Sequence, residues 1–554
     1  MVRRLIVLAL IAIAAGCSGA GPERVGSQPS WRDSPGGTGP RMSPAGPVTF
    51  APTSEPATRY NEPVRSPPRT ALGDAAIAAV RQAAMQAGIV APTPDARLFR
   101  ACVELAEVVP EEGIIGYSLV EFALQRNGII EPSPHLLVVW GDIESPELIV
   151  DQLRPKIAEI LADGATARLG IGAAKRTADG AGAVVFALQG SGVSTLPIPR
   201  AVRAGDSFPI DAVVDARYRD PELFVTRETG TTERLALKLG HAGGFRSTVE
   251  CGAHQGKQQI EITASDQNGS TVLANFPVWC GGTPPSSLTV TASMDDLPLT
   301  EPADAERRLL ALINRDRQAA NLQPLAWDDR VAAVARNHSD EMRRTKVVAH
   351  ISPTTGSAAD RVRAASIRTA VVLENVARAY GLGEAHQGLM NSPGHRANMM
   401  ASSATHVGIG VVFGDQISGR REIFITQVFT RIPPKVDRVA AAKAVLQRLS
   451  AVHPSIQDNP RVSAIAQEMA AALAQGTTRE QAYSAVKRQV DALGGVYSKV
   501  TSVITAVSEL DALDGQSLLG DARPQDVGIG VAQGPHPEIG EGAIWVVLLL
   551  AVKR

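Results

Sequence analysis

Five of the ten histidines of this 554-residue chain lie between positions 338 and 406, which indicates where chemistry could occur. One of them, His395, stands in the stretch SPGHR, shortly after Ser392 and Pro393. Serine is a favoured N-cap residue and proline fits the first helical position, so His395 is predicted to lie in the first turn of a helix. The positive end of the helix dipole disfavours an imidazolium there. We therefore expect a neutral ring whose lone pair can bind a metal or accept a proton.

Three similar segments provide the elements that would position such residues. Each contains a Gly-Ile-Gly strand, a polar turn and a second apolar strand, centred on Ile171, Ile409 and Ile529, and each follows stretches with helical apolar spacing. This pattern is typical of an antiparallel hairpin preceded by helices. Its threefold occurrence predicts three α+β units of similar fold.

Residues 303–432 resemble the CAP superfamily, also called the SCP domain, which includes cysteine-rich secretory proteins, antigen 5 and plant pathogenesis-related proteins. The resemblance rests on an ordered set of stretches: LLALINRDRQAANLQPLAWDDRVAAVARNHSDEM, VVAHISPTTGSAADRVRAASI, LENVA, LMNSPGHRANMM, HVGIGV and ITQVF. It implies an α-β-α sandwich with a central antiparallel sheet. It also implies a cleft in which the family places two histidines and two glutamates.

By motif, the resemblance assigns three residues of this chain to that cleft. They are His350 in AHISP, Glu374 in LENVA and His395 in SPGHR. The second glutamate is absent, since Ser392 occupies its position, and Leu389 replaces a frequent tryptophan. Because the tetrad is reduced to a triad, a mechanism taken from the eukaryotic members does not transfer directly.

The three residues allow two interpretations. Two neutral imidazoles and a carboxylate could hold Zn²⁺ with an open water position, or Mg²⁺ or Ca²⁺ more weakly because these ions prefer oxygen ligands. His350 and His395 would then be metal ligands, and with Glu374 they would be the catalytic residues of a peptidase-like hydrolase. The alternative is a hydrogen-bonded cluster that ties helices to the sheet without catalysis. His338 is interpreted as a packing or hydrogen-bonding residue, and His386 and His406 as surface or edge residues.

The flanking units lack these residues when the chain is aligned without gaps on the Gly-Ile-Gly strands. Counting back in this way matches His395 with Ile157 and Gly515, and Glu374 with Leu136 and Gly494. We therefore predict that residues 71–190 and 435–554 are degenerate CAP-like domains that serve as scaffold or binding surface.

The N-terminus predicts export and anchoring. Residues 1–17, MVRRLIVLALIAIAAGC, are typical of a signal peptide. AAGC resembles a bacterial lipobox, which implies lipidation of Cys17 and membrane attachment without a transmembrane helix. Ordinary secretory cleavage is the alternative. Residues 18–70 are rich in Pro, Gly and Ser, and this composition predicts a disordered tether.

Residues 191–295 contain alternating apolar runs, with Asn268-Gly269 as a tight turn, and predict an Ig-like β-sandwich. Because an exported chain meets an oxidising compartment, Cys251 and Cys280 are predicted to form a disulfide within it. The remaining cysteine, Cys102, has helical apolar spacing and is interpreted as a small buried hydrophobe. The predicted fold class is therefore α+β multidomain, with a central CAP domain, two degenerate CAP-like domains and one β-sandwich.

Charge and composition narrow the function. The formal net charge of −1 at pH 7 gives no basis for nucleic-acid binding. We expect a protein of the bacterial cell envelope, either an outer-membrane lipoprotein held through lipidated Cys17 or an extracellular protein. Its expected function is that of a binding or structural module for an extracytoplasmic protein, lipid or glycan. The metal-dependent hydrolase is the alternative.

Overall fold

The computed structural model describes twelve stretches of the chain: residues 8–12, 48–63, 66–109, 116–162, 166–176, 181–290, 299–367, 369, 371–417, 420–431, 436–537 and 539–554. Within them the fold is mixed α and β, with several separate sheets. Cys17 and the remainder of the predicted signal peptide apart from residues 8–12 lie outside the described residues.

In the described part of the chain, three short strands precede the first helix, namely β1 (Leu8–Ala12), β2 (Val48–Phe50) and β3 (Arg59–Tyr60). The predicted tether of residues 18–70 is wrong for its second half, because β2 pairs with residues 288–290 and β3 with residues 198–199. Two aromatic side chains explain why this segment is ordered. Phe50 and Tyr60 are fully buried, and the Tyr60 hydroxyl donates to the carbonyl oxygen of Pro277 at 2.7 Å.

The first α/β unit has helices on both faces of one sheet. Its helices are α1 (Ala71–Ala87), α2 (Ala96–Val108), α3 (Tyr117–Arg126) and α4 (Pro146–Ala162). Its strands are β4 (Thr93–Pro94), β5 (His135–Asp142), β6 (Arg168–Lys175) and β7 (Ala181–Gln189), in the order β5-β7-β6-β4, with β1 added antiparallel to β5. The apolar side chains of α2 and α3 cover one face, and those of α1 and α4 cover the other.

Two further sheets follow and share one apolar core. The strands of this segment are β8 (Val193–Thr195), β9 (Ile198–Pro199), β10 (Ala201–Val202), β11 (Ser207–Val214), β12 (Arg219–Thr226), β13 (Thr232–Leu235), β14 (Lys238–Leu239), β15 (Gly244–Glu250), β16 (Gly256–Asp266), β17 (Gly269–Cys280) and β18 (Leu288–Val290). Of these, β9 and β18 pair with β3 and β2 and lie outside the two sheets. One sheet has the order β10-β17-β16-β12-β13 and the other β14-β15-β11-β8. Side chains from both sheets, such as Ile210, Val249 and Ile260, meet between them. We refer to these two sheets as the sandwich.

The sandwich contains a disulfide between Cys251 and Cys280, which are 29 residues apart, whereas Cys102 is free and buried in the first unit. A disulfide that closes a loop of this length raises the free energy of unfolding of the protein by about 3 to 4 kcal/mol. We therefore expect the double variant Cys251→Ser/Cys280→Ser to lose about that free energy of unfolding in urea titrations. Reductant should destabilise the native protein and leave the double variant unchanged. Equal stability of the two proteins would contradict the prediction.

The middle unit has the same architecture as the first. Its helices are α5 (Pro302–Ala319), α6 (Asp329–Thr345), α7 (Ala358–Ala364), α8 (Leu382–Asn391) and α9 (Pro393–Met399). Its strands are β19 (Ala326–Trp327), β20 (Val372–Ala379), β21 (His406–Ile417) and β22 (Arg420–Thr430), in the order β19-β21-β22-β20. The first strand pairs parallel with the hairpin, and the other pairings are antiparallel. Helices α6 and α7 pack on one face of the sheet, and α5 and α8 pack on the other.

The third unit repeats this sheet once more. Its helices are α10 (Arg438–Val452), α11 (Pro460–Ala474), α12 (Arg479–Ala492) and α13 (Gly515–Leu519). Its strands are β23 (Gln457–Asp458), β24 (Tyr497–Val507), β25 (Asp526–His536) and β26 (Gly540–Lys553), in the order β23-β25-β26-β24. Within the described residues, no helix combines the length and apolar composition needed to cross a bilayer.

The same packing constraint explains the Gly-Ile-Gly repeat in all three units. The glycines of each hairpin face a helix whose backbone lies against the strand. A Cβ on Gly410 would lie 2.2 Å from the backbone nitrogen of Arg336 in α6, and one on Gly172 would lie equally close to that of Val103 in α2. A Cβ on Gly530 would lie 2.1 Å from a backbone oxygen of α11. Only a residue without a side chain permits this approach.

Candidate functional site

The middle unit brings the three predicted site residues together from different elements. Glu374 lies on β20 and is buried, His350 lies in the loop after α6, and His395 lies in the first turn of α9. Nδ1 of His350 is 2.9 Å from Oε2 of Glu374. The rings of His350 and His395 lie 6.4 Å apart between centroids, with 28° between their planes. The three side chains therefore form one polar cluster.

Glu374 has a second partner, Arg361 of α7, whose buried guanidinium forms an ion pair with the other carboxylate oxygen. Burial would raise the pKa of Glu374. The hydrogen bond with His350, followed by the charges of His350 and Arg361, instead lowers this pKa below its usual range. The carboxylate is thus ionised and neutralised by protein groups. No motif indicated a role for Arg361, although it lies within the stretch VVAHISPTTGSAADRVRAASI.

This arrangement does not fit the three-ligand metal site considered above. Arg361 holds the carboxylate that the site would need, and a guanidinium beside a ligand opposes a divalent cation. Among the described residues, no three His, Cys, Asp or Glu side chains are grouped so that they could hold an ion.

His395 is neutral, as expected, but for a different principal reason. Burial first, and the neighbouring His350 second, lower its pKa to about 3. Ser392 occupies the N-cap position of α9, yet its hydroxyl makes no capping hydrogen bond. Instead Ser392 Oγ lies 2.6 Å from Nδ1 of His395. The serine that suggested a cap is therefore a direct partner of the imidazole.

Two asparagines hold the His395 turn against the sheet. Asn375, next to Glu374 on β20, donates to the carbonyl oxygen of His395 at 3.1 Å. Asn398 of α9 donates to the carbonyl oxygen of Glu374 at 3.0 Å and to Oδ1 of Asn375 at the same distance. These bonds fix the separation of strand and helix. Both asparagines lie within the quoted motifs, so the motifs contain the residues that support the site as well as those that form it.

A carboxylate that no sequence motif indicated, Glu261, reaches the site from strand β16 of the sandwich. Glu261 is fully buried and accepts hydrogen bonds from the Ser392 hydroxyl and, at 2.8 Å, from the backbone N–H of Gly394. Burial raises its pKa to about 7, although both hydrogen bonds act in the opposite direction. The segment that carries His395 is thus bonded to another part of the chain.

The sandwich also contacts the segment that carries the other histidine. The backbone N–H groups of His350 and Ile351 donate to the carbonyl oxygen of Asn268 at 3.0 and 2.9 Å. Gly269 adopts φ +102°, and a Cβ there would lie 2.9 Å from the Cβ of His350. The predicted Asn268-Gly269 turn therefore lies directly against the site.

The first unit also contacts the middle unit beside the site. The carboxylate of Glu384 in α8 accepts the backbone N–H of Tyr117 at the start of α3, at 2.7 Å. A cavity of about 20 Å³ lies between the units, and its lining includes Tyr117, Asn275, Glu384 and His395. This volume has room for about one water molecule.

The other histidines of the middle unit have structural partners. Buried His338 lies with Nε2 2.8 Å from the carbonyl oxygen of Ala349. His386 is not a surface residue as expected, because it is buried in α8 with Nε2 2.7 Å from Oδ2 of Asp316. Nδ1 of His406 is 2.9 Å from the hydroxyl of Thr405.

Strand register shows what the flanking units have in place of Glu374. In the middle unit Glu374 and Gly408 are both paired with Val428. The corresponding pairing in the first unit selects Leu136, as the gap-free count predicted. In the third unit it selects Ser502, so the predicted match with Gly494 is wrong. Neither flanking unit has a carboxylate at this position.

Residues 310–429 match the family model described as "Cysteine-rich secretory protein family", CAP. Two proteins of Bacillus subtilis (strain 168) are similar over 108 residues, or 19% of this chain. The uncharacterized membrane protein YlbC is 36% identical over 31% of its own length, and the uncharacterized protein YkwD is 34% identical over 42% of its length. The match thus spans less than half of either relative. A solved extracellular protein containing an SCP domain, from Bacillus anthracis, is 18% identical with a TM-score of 0.22, covering 50% of this chain and 92% of that one.

Proposed function

Because residues 310–429 are a domain of the CAP family, we propose that this chain is an extracytoplasmic binding or structural module of the bacterial cell envelope. Its CAP domain is flanked by two degenerate CAP-like domains and an Ig-like sandwich. Lipidated Cys17 holds it on a membrane, and the folded part contacts a protein, lipid or glycan. The shared strand order of the three units and the loss of Glu374 from two of them support this arrangement.

One observation carries the proposal: both histidine-bearing segments of the CAP domain are hydrogen-bonded to the sandwich. Asn268 is bound to the backbone of His350, and Glu261 to Ser392 and Gly394. The cavity beside His395 has a volume of about 20 Å³, which is too small for an extended polypeptide. A cleft bordered in this way suits a fixed junction between domains, or a small ligand group, better than proteolysis.

The arrangement of Glu374 favours the same choice. A hydrolase of the metal-dependent class would use this carboxylate to hold an ion or to orient a water molecule. Here Glu374 is bonded to His350 and paired with Arg361. Both oxygens of the Glu374 carboxylate therefore bind other protein groups. Metal-dependent hydrolysis is the result that would contradict the proposal.

The test compares envelope binding with hydrolysis in the full chain. Purified protein is sedimented with isolated cell envelopes and assayed on casein, alongside His350→Ala, His395→Ala and the control His406→Ala. We expect all three variants to sediment as the native protein does within about twofold, and none of the four proteins to hydrolyse casein. Casein hydrolysis that is lost in the first two variants and kept in the control would overturn the proposal in favour of an enzyme.

A further inference from the structure

A continuous hydrogen-bond chain leads from a buried acid of the sandwich to an imidazole of the CAP domain. Oε2 of Glu261 accepts the hydroxyl of Ser392, and Oγ of Ser392 lies 2.6 Å from Nδ1 of His395. The second carboxylate oxygen, Oε1, accepts the backbone N–H of Gly394 at 2.8 Å. Both partners of the carboxylate are neutral groups of the CAP domain.

Strand geometry explains how this acid reaches another domain. Successive side chains of β16 point to opposite faces of the sheet. Ile260 and Ile262 enter the core of the sandwich, so Glu261 between them projects from the other face. On that face Gln259 donates to Asn275 at 2.7 Å, and Asn275 donates to the carbonyl oxygen of Asn391 at 3.2 Å. The outer face of this sheet is therefore docked on the junction of α8 and α9.

In the CAP domain, Gly394 leaves space for the carboxylate of Glu261. A Cβ on Gly394 would lie 2.8 Å from Oε1 of Glu261, closer than such atoms can approach. Glycine at this position lets the acid reach the backbone N–H. A buried acid is costly unless its oxygens are hydrogen-bonded, and the site supplies one donor to each oxygen.

Counting protons along the chain assigns the tautomer of His395. An ionised carboxylate only accepts, so the single hydroxyl proton of Ser392 is donated to Glu261. The oxygen of Ser392 can then serve Nδ1 of His395 only as an acceptor, which places the proton of the neutral ring on Nδ1. Nε2 consequently carries the lone pair.

We propose that Glu261 is a positioning residue that acts through Ser392 to hold His395 as the Nδ1–H tautomer, leaving Nε2 as a hydrogen-bond acceptor. The site is then composite, with its imidazole oriented by a residue of the sandwich. A ligand group that reaches Nε2 of His395 must then donate a hydrogen bond to it, as a hydroxyl or an amide does. The assignment goes beyond the proposed function because it concerns the site itself, whatever the chain binds.

Selective ¹⁵N-histidine labelling of the full chain tests the proposal at about pH 8.5, well above the pKa of the Glu261 carboxyl. The His395 resonances, identified by their loss in His395→Gln, are expected to show a protonated Nδ1 and an unprotonated Nε2. In Glu261→Gln the new amide donates to Ser392, whose hydroxyl proton turns to Nδ1 of His395. We therefore expect the tautomer to invert. His338 is the internal reference, because its Nε2 must donate to the Ala349 carbonyl in every variant.

A second variant keeps the acid and removes the link. Ser392→Ala leaves Glu261 in place, so the fixed preference of His395 for the Nδ1–H form should disappear. If the His338 resonances show that Glu261→Gln has not folded, Ser392→Ala decides the question alone. An unchanged His395 tautomer in a folded Glu261→Gln protein, or a retained Nδ1–H form in Ser392→Ala, would overturn the proposal.

Discussion

Replacing Gly410 with alanine is expected to lower the free energy of unfolding by about 3 kcal/mol, because the new methyl group meets the backbone of α6. The added Cβ would lie 2.2 Å from the nitrogen of Arg336 and 2.3 Å from the carbonyl carbon of Ala335. Neither atom belongs to a flexible side chain, so the backbone of α6 must move away from the strand. Helix α6 leads into the loop of His350, and its displacement should also weaken the contact between His350 and Glu374. Urea denaturation of the full chain measures the loss.

The matched control is Gly494→Ala. A Cβ at Gly494 has no heavy atom within 4 Å, so this substitution should change stability by less than about 0.5 kcal/mol. Gly172→Ala and Gly530→Ala place the same clash in the first and third units, and each should destabilise its own unit. Similar small losses for Gly410→Ala and Gly494→Ala would show that the helix does not depend on the close approach.

Local pattern was sufficient to predict the repeated hairpins and their helices. The spacing of glycine and isoleucine within one strand determines which side chains face the helix, so the pattern around Ile409 could be transferred to Ile171 and Ile529. The Asn268-Gly269 turn was predictable for the same reason, since it depends on two adjacent residues. The convergence of His350, Glu374 and His395 needed the family resemblance, because no local spacing connects them.

The role of Glu261 could not be predicted from the sequence, because it depends on how the sandwich packs against the middle unit. In the run KQQIEITAS, Gln259, Glu261 and Thr263 alternate with isoleucine and alanine, which is the pattern of a strand with one solvent-facing side. All three polar residues are buried. Nothing within the strand distinguishes a face covered by another domain from one covered by water.

Gap-free counting failed in the third unit because it assumes equal spacing between the strands. The count gave Gly494, whereas the pairing of β24 with β26 places Ser502 at that register. Residues 48–63 were misjudged for a related reason. A composition rich in proline obscured two aromatic side chains that are buried against distant strands.

Glu261 should make the stability of the native protein fall, relative to Glu261→Gln, as the pH rises from about 4 to about 8. Burial raises its pKa in the folded protein to about 7, from the ordinary value of 4.5 for a glutamate. The folded state therefore retains a proton that the unfolded chain has already released, and this advantage is lost as the pH rises through the folded pKa. A difference of about two and a half pKa units corresponds to about 3 kcal/mol.

The groups around Glu261 do not account for this pH-dependent difference in stability, so we attribute it to Glu261 itself. Ser392 and Gly394 do not titrate in this range, and His395, with a pKa of about 3, stays neutral throughout. Burial keeps the pKa of Tyr117 well above its usual value, so that its hydroxyl is also uncharged. Glu121 is a buried acid whose pKa burial also raises to about 7, but it is present in both proteins and largely cancels. The control Glu480→Gln replaces an exposed residue and keeps Glu261, so its stability should fall with rising pH as that of the native protein does. Parallel curves for the native protein and Glu261→Gln would mean that the folded state does not bury an ionisable carboxyl at this junction.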